Sequence, residues 1–259
     1  MRSMDAAKIS FAVAVLFLAG CAGLFRSSRS LPDVPGNELL RRIQDHTGRL
    51  ETFQGIARMT VATSEASFAG TFSVSVKAPD SLWIKIEGPL GIDMLTLAVG
   101  GDRILMYSPW QQAAFRGSLG KVRKSGMLPV DLDSSDVVFG FLGLWNPKPE
   151  TADSVLSVRS ENGQYVLAFA SGGEVWIEPK GPVVKRWIKK DGNGETEWIW
   201  EGEAYRRRDD LWLPAIVRIF RPTPRQRITL QYESMSANNS MKSSWFDVRI
   251  PEGVQTLEW

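Results

Sequence analysis

One cysteine and one histidine, in 259 residues, are all the thiol and imidazole this chain can bring to chemistry. Cys21 closes a short hydrophobic run. Arg2 and Lys8 stand before it, Ile9 to Leu18 is apolar apart from Ser10, and Leu18-Ala19-Gly20 runs directly into Cys21. Charge, then an apolar core, then small residues is the order of an export signal. The run is shorter than the roughly 20 apolar residues that span a bilayer as a helix. A cysteine directly after Leu-Ala-Gly matches the bacterial lipobox, in which Cys21 is diacylated, residues 1–20 are removed and Cys21 becomes the first residue. The other reading is a plain secretory signal with a chance cysteine. With Cys21 committed to lipid, no disulfide is available and the fold must rest on its core.

His46 lacks the neighbours that catalysis needs. No Gly-x-Ser-x-Gly elbow occurs, and Asp45, adjacent in sequence, does not face His46 on a helix. With one His and no free Cys, a zinc or copper site is not expected, and neither is any cofactor. Gly117-Ser118-Leu119-Gly120-Lys121 has the wrong spacing for a phosphate loop, and Gly192-Asn193-Gly194 lacks the third glycine of a dinucleotide fingerprint. Asp133/Asp136 and Asp209/Asp210 stand in cap and turn contexts. A hydrolase built on carboxylates alone remains open on sequence, but nothing favours an enzyme. The formal net charge is +2, and losing Arg2, Lys8 and Asp5 with the signal brings the mature chain close to balance. Nucleic-acid binding is therefore not expected. The basic run Arg206-Arg207-Arg208 meets Asp209-Asp210 at once and reads as a solvated turn.

The elements that would carry any site are mostly strands. Residues 21–36 have the Ser, Pro and Gly content of a flexible tether. Asn37 can cap a helix on which Leu39, Leu40, Ile43, Thr47 and Leu50 share a face. After Gly55 the period becomes that of a strand. Phe72, Val74 and Val76 alternate with small polar residues, and Leu82, Ile84 and Ile86 alternate with Trp83, Lys85 and Glu87. Strand-like runs follow near 94–99, 103–108, 112–116, 154–159, 164–170, 173–178, 183–189, 195–205, 213–221 and 226–233. A second helix, capped by Asp133 after the loop Pro129–Leu132, carries Val137, Val138, Phe141, Leu142 and Leu144 and stops before Pro147 and Pro149. The expected fold is mainly β. It is one large, curved antiparallel sheet of ten or more strands, an open half-barrel covered by two or so helices, with residues 37–259 forming a single domain. The apolar face of such a sheet either lines a cavity or packs as a solid core.

One turn departs from turn chemistry. Gly88-Pro89-Leu90-Gly91-Ile92 breaks the strand pattern with two glycines and a proline, yet it holds Leu90 and Ile92 where polar residues are usual. Leu90 either packs against the sheet edge or protrudes to meet lipid or a partner. Of the ten tryptophans, among them Trp83, Trp110, Trp145, Trp187, Trp198 and Trp200, some suit a membrane interface and most suit sheet packing.

Several of these stretches resemble the LolB outer-membrane lipoprotein receptor of the LolA/LolB half-barrel superfamily. They are the opening helix followed by strands, Gly88-Pro89-Leu90-Gly91 after the third strand, and Leu132-Asp133-Ser134-Ser135-Asp136 leading to Phe141-Leu142-Gly143. Leu213-Pro214-Ala215 and Phe246-Asp247-Val248-Arg249-Ile250-Pro251-Glu252-Gly253 add to the likeness, the last resembling LolA-like relatives. The likeness covers most of residues 37–253. It departs in chain length, with extra strands expected between about 171 and 212.

The resemblance implies a hydrophobic cavity that accepts the acyl chains of lipoproteins handed over by a LolA-like periplasmic carrier. It also implies a protruding leucine at Leu90, with Gly88 replacing an Asn, in a membrane-insertion loop of Gly88, Pro89, Leu90, Gly91 and Ile92. On that reading Phe72, Val74, Val76, Ile84, Ile86, Leu95, Leu97, Ile104 and Met106 line the acyl-binding cavity. Phe141 joins the acyl-binding cavity from residues 134–144, which act as a lid, and Met94 and Met106 lend the pocket adaptability. The chain is then anchored to membrane lipid through acylated Cys21, on the periplasmic side of the outer membrane, for which Ala22 rather than Asp after the cysteine is a further sign. The alternative is an envelope assembly lipoprotein of the same fold that binds a protein partner or another lipid.

Overall fold

The computed structural model describes residues 31–124, 134–148, 154–241, 246 and 248–258. The export signal, Cys21, the loop Pro129–Leu132 and Asp133 lie outside them.

The first element among the described residues is helix α1 (Gly36–Thr47). It buries Leu39, Leu40, Ile43, His46 and Thr47, and so presents the face that the spacing predicts. Its start differs by two residues from the expectation. Pro35 occupies the cap position without a side-chain cap bond, and Asn37 sits inside the first turn, where its Oδ1 accepts the Glu38 amide. Pro35 supplies the carbonyl that the first helical amides need, accepting from Glu38 N and Leu39 N.

Strands β1 (Thr52–Thr63), β2 (Ser67–Lys77), β3 (Ser81–Glu87), β4 (Asp93–Gly100), β5 (Arg103–Ser108) and β6 (Ala113–Ser118) then form a meander. Two short helices follow, α2 (Leu119–Lys124) and α3 (Ser134–Phe141). The second half runs through β7 (Val155–Glu161), β8 (Gln164–Phe169), β9 (Glu174–Glu178), β10 (Val183–Lys190), β11 (Thr196–Arg208), β12 (Leu211–Arg221) and β13 (Gln226–Ala237), ending at β14 (Gln255–Glu258). Helix α2 takes up Leu119, Gly120 and Lys121 of the glycine-containing run Gly117–Lys121.

The fourteen strands among the described residues belong to one open sheet, ordered β14-β6-β5-β4-β3-β2-β1-β13-β12-β11-β10-β9-β8-β7. The expected antiparallel sheet is in fact mixed, because β14 pairs with β6 in parallel while every other pairing is antiparallel. A chain returning from β13 past the sheet reaches the free edge of β6 in that direction. Among the described residues three helices stand beside the sheet, against the two or so expected.

The sheet curls round α3. Val138, Phe139 and Leu142 share one buried cluster with Phe72 and Val74 of β2, Leu97 of β4, Trp200 of β11 and Val217 of β12. A second cluster lies under α1 and joins Leu39, Leu40 and Ile43 to Trp145, Leu167 and Ile177, and Trp187 packs against both. Among the described residues no helix is long and apolar enough to cross a membrane.

Candidate functional site, an apolar sheet face and the turn at its end

Strand register places the expected cavity residues on one face. Phe72 pairs with Ile86 and Ile86 with Leu95; Val74 pairs with Ile84, Ile84 with Leu97 and Leu97 with Met106. Val76 pairs with Leu82, Leu82 with Val99 and Val99 with Ile104. Side chains directly opposite one another across a ladder point the same way, so all nine strand positions look inward. Lys85, Thr71, Ser73 and Thr96 alternate with them on the outer face. Phe141 meets this face from α3, with its ring stacked on Phe72 at 5.5 Å between centroids.

The face is not equally closed along its length. Phe72, Val74, Val76, Ile84, Leu97 and Ile104 are buried, whereas Ile86, Leu95, Met106 and Phe141 are half-buried. The half-buried strand residues lie toward the end of the sheet that carries the turns β1–β2, β3–β4 and β5–β6. A cleft of about 300 Å³ lies away from this face, between α1 and the β9–β10 turn, lined by Arg42, Asp45, Arg49 and Lys180 among others.

Two motifs quoted from the sequence meet behind α3. Gly143 ends the helix with φ +65°, its amide donating to Gly140 O and the Leu144 amide to Phe139 O. A Cβ on Gly143 would stand 2.7 Å from both Pro214 Cγ and Val217 Cγ2, so Phe141-Leu142-Gly143 seats directly on β12, where that strand carries Leu213-Pro214-Ala215. The Tyr232 hydroxyl donates to Phe141 O at 3.0 Å and fixes the other side of the same helix end, and burial holds its pKa above the ordinary phenol value. Under α3, Trp198 and Trp200 are buried with Nε1–H groups that have no hydrogen-bond partner.

Pro89, Leu90 and Gly91 form a 3-10 turn between β3 and β4, closed by Gly88 N donating to Ile92 O at 2.8 Å. Leu90 at its tip is 100% exposed and has φ +62°. The left-handed region disfavours a leucine, so the turn holds this side chain out at some cost in strain. Gly91 follows with φ +73°, and Ile92 is 46% exposed. The base of the hairpin is pinned on the outer face, where Lys85 Nζ pairs with Asp93 at 2.7 Å and with Glu87 at 2.9 Å. Hydrogen bonds to Asp93 and then Glu87 raise the Lys85 pKa and keep it charged.

His46 is a packed residue of α1, its Nε2 lying 3.2 Å from Trp212 O, and burial lowers its pKa. Among the described residues no group of three or more His, Cys, Asp and Glu side chains is placed to hold a metal ion.

No protein-family model matches the chain, and no curated protein matches it in sequence. Solved structures do match in fold. A DUF1329 family protein from Desulfovibrio piger superposes with a TM-score of 0.59 at 12% identity, over 83% of this chain and 98% of its own. A LolA superfamily protein from Nitrosomonas europaea gives 0.56 at 13% identity, over 83% and 99%. A protein domain from Vibrio parahaemolyticus assigned to outer membrane lipoprotein sorting gives 0.58 at 13% identity, over 82% and 97%. At these identities the likeness is one of fold alone, shared with the LolA superfamily protein among these structures.

Proposed function

We propose that this chain is an envelope lipoprotein of the LolB type, anchored in the outer membrane through acylated Cys21 and facing the periplasm. Residues 1–20 are its signal and 21–36 its tether, and residues 37–259 act as one half-barrel domain. Its inward apolar face takes the acyl chains of lipoproteins from a LolA-like carrier, and the turn Gly88–Ile92 passes them into the bilayer. The observation that carries this reading is Leu90, fully exposed at positive φ on the end of the sheet where the apolar face is least covered. Strain held at a fully exposed apolar tip needs a use outside the fold.

The binding chemistry is simple. Each methylene taken from water contributes about 0.8 kcal/mol, so even a partly buried acyl chain is held tightly. Displacement of α3 opens the inner end of the face, with Phe141 leaving Phe72. The unpartnered indole N–H groups of Trp198 and Trp200 then gain acceptors in the ester or amide carbonyls that acyl chains carry.

The test uses the mature chain with Cys21→Ser. Lipid or lipoprotein bound to the purified protein is identified by mass spectrometry, and cargo transfer from a LolA-type carrier is compared with that of Leu90→Glu. Bound acyl species, together with Leu90→Glu receiving cargo but failing to pass it to membranes, are the expected results. Normal delivery by Leu90→Glu would remove the leucine's role. Absence of any acyl binding would sink the receptor reading.

A further inference from the structure

Seven large hydrophobic side chains are exposed among the described residues, and three of them stand on two neighbouring turns. Leu90 and Ile92 belong to the β3–β4 turn, and Trp110, 69% exposed, belongs to the β5–β6 turn. Strands β4 and β5 are adjacent, with Thr96 opposite Tyr107, so both turns leave the sheet at the same end. The Ser108 hydroxyl donates to Met94 O at 3.1 Å and ties the two turn bases together. Trp110 lies two residues beyond Ser108 and Ile92 two residues before Met94. The turn Pro109-Trp110-Gln111-Gln112 carries no charge. Of the other four exposed hydrophobics, Leu257 lies on β14 opposite Phe115 of β6, and Ile56, Leu156 and Trp212 lie singly on β1, β7 and β12.

We infer that Trp110 is a second membrane contact, resting its indole in the interfacial layer of a lipid bilayer while Leu90 inserts beside it. This rests on the proposed role of Leu90 and adds a residue, and with it a plane of approach. Lipid is the partner that fits the shape. Three side chains on two turn tips offer far less than the roughly 800 Å² per partner that a stable protein interface buries. A bilayer asks for no complementary surface and rewards each inserted apolar group separately. Indole is suited to the boundary, where its ring meets acyl chains and its N–H meets headgroups.

Vesicles of phosphatidylethanolamine and phosphatidylglycerol, some carrying bromine on the acyl chains, provide the probe for the mature Cys21→Ser chain. Because Trp110 is exposed, Trp110→Ala and Trp110→Phe should fold as the parent does. Trp110→Ala is expected to bind vesicles about tenfold more weakly, and Trp110→Phe to fall between. The fluorescence lost in Trp110→Phe should be the part that bromine quenches. Unchanged vesicle binding by Trp110→Ala, or a Trp110 signal that bromine leaves untouched, would overturn the assignment. So would a Trp110→Ala protein that binds vesicles normally yet no longer accepts cargo from a carrier, since that places the indole against a protein. Leu90→Glu, run alongside, separates the two ideas. Loss there with no loss in Trp110→Ala removes only Trp110, and loss in Trp110→Ala alone removes only the leucine.

Discussion

Leu90 is a poor residue for its own backbone. At φ +62° a leucine pays a left-handed penalty of about 1–2 kcal/mol, and its fully exposed side chain makes no contact in return. Replacing it with Asn, which tolerates this region, should raise stability by about 1 kcal/mol in a denaturant titration. The same variant should deliver less cargo to membranes than the parent. Lower stability in Leu90→Asn would show that the turn is not strained and would remove the argument from strain to use. The oddity of this leucine is legible in sequence, because Pro-Leu-Gly puts an apolar side chain where turn chemistry favours a polar one. Trp110 is not legible in the same way. It is one tryptophan of ten, and only the register of β4 on β5 places it beside Ile92.

At the scale of elements, strict alternation made the strands readable. Phe72-Ser73-Val74-Ser75-Val76 and Leu82-Trp83-Ile84-Lys85-Ile86 each carry one apolar face, and a one-residue slip would turn that face to water. What the sequence hid lacks such a pattern. Helix α2 has only six residues, and all four residues of β14 are exposed, so neither leaves a periodic trace. The parallel pairing of β14 depends on where a distant edge happens to be free. Helix α3 was readable as a helix, but its seating was not. Gly143 provides it, combining φ +65° with closest approach to Pro214 and Val217. Gly143→Ala therefore meets both a backbone penalty and an overlap, and should destabilise by about 2–4 kcal/mol in thermal or denaturant unfolding. Val217→Ala in the same chain should recover part of that loss, because it removes one of the two atoms in the way. A purely additive pair would show that the overlap does not matter.

The whole molecule sets a constraint between the proposed anchor at Cys21 and the proposed insertion of Leu90. Tyr165 donates its hydroxyl to Pro32 O at 2.8 Å, which holds the start of the described chain at the end of the sheet bearing the β7–β8 turn. Leu90 and Trp110 leave the opposite end. Between the two ends run strands of 7 residues in β3 and 11 in β2, about 23–36 Å at the usual rise. The ten steps from Cys21 to Leu31 span at most about 33–36 Å fully extended. An anchor at Cys21 and an inserted Leu90 can then share one bilayer only with the tether drawn out along the side of the sheet. Its length is close to the minimum for the task. Removing residues 23–30 should leave acylation and membrane fractionation intact while abolishing Leu90-dependent delivery, and a Gly-Ser segment of equal length should restore it. Full delivery by the shortened chain would mean that cargo enters a bilayer other than the one holding the anchor, and that the turn faces away from its own membrane.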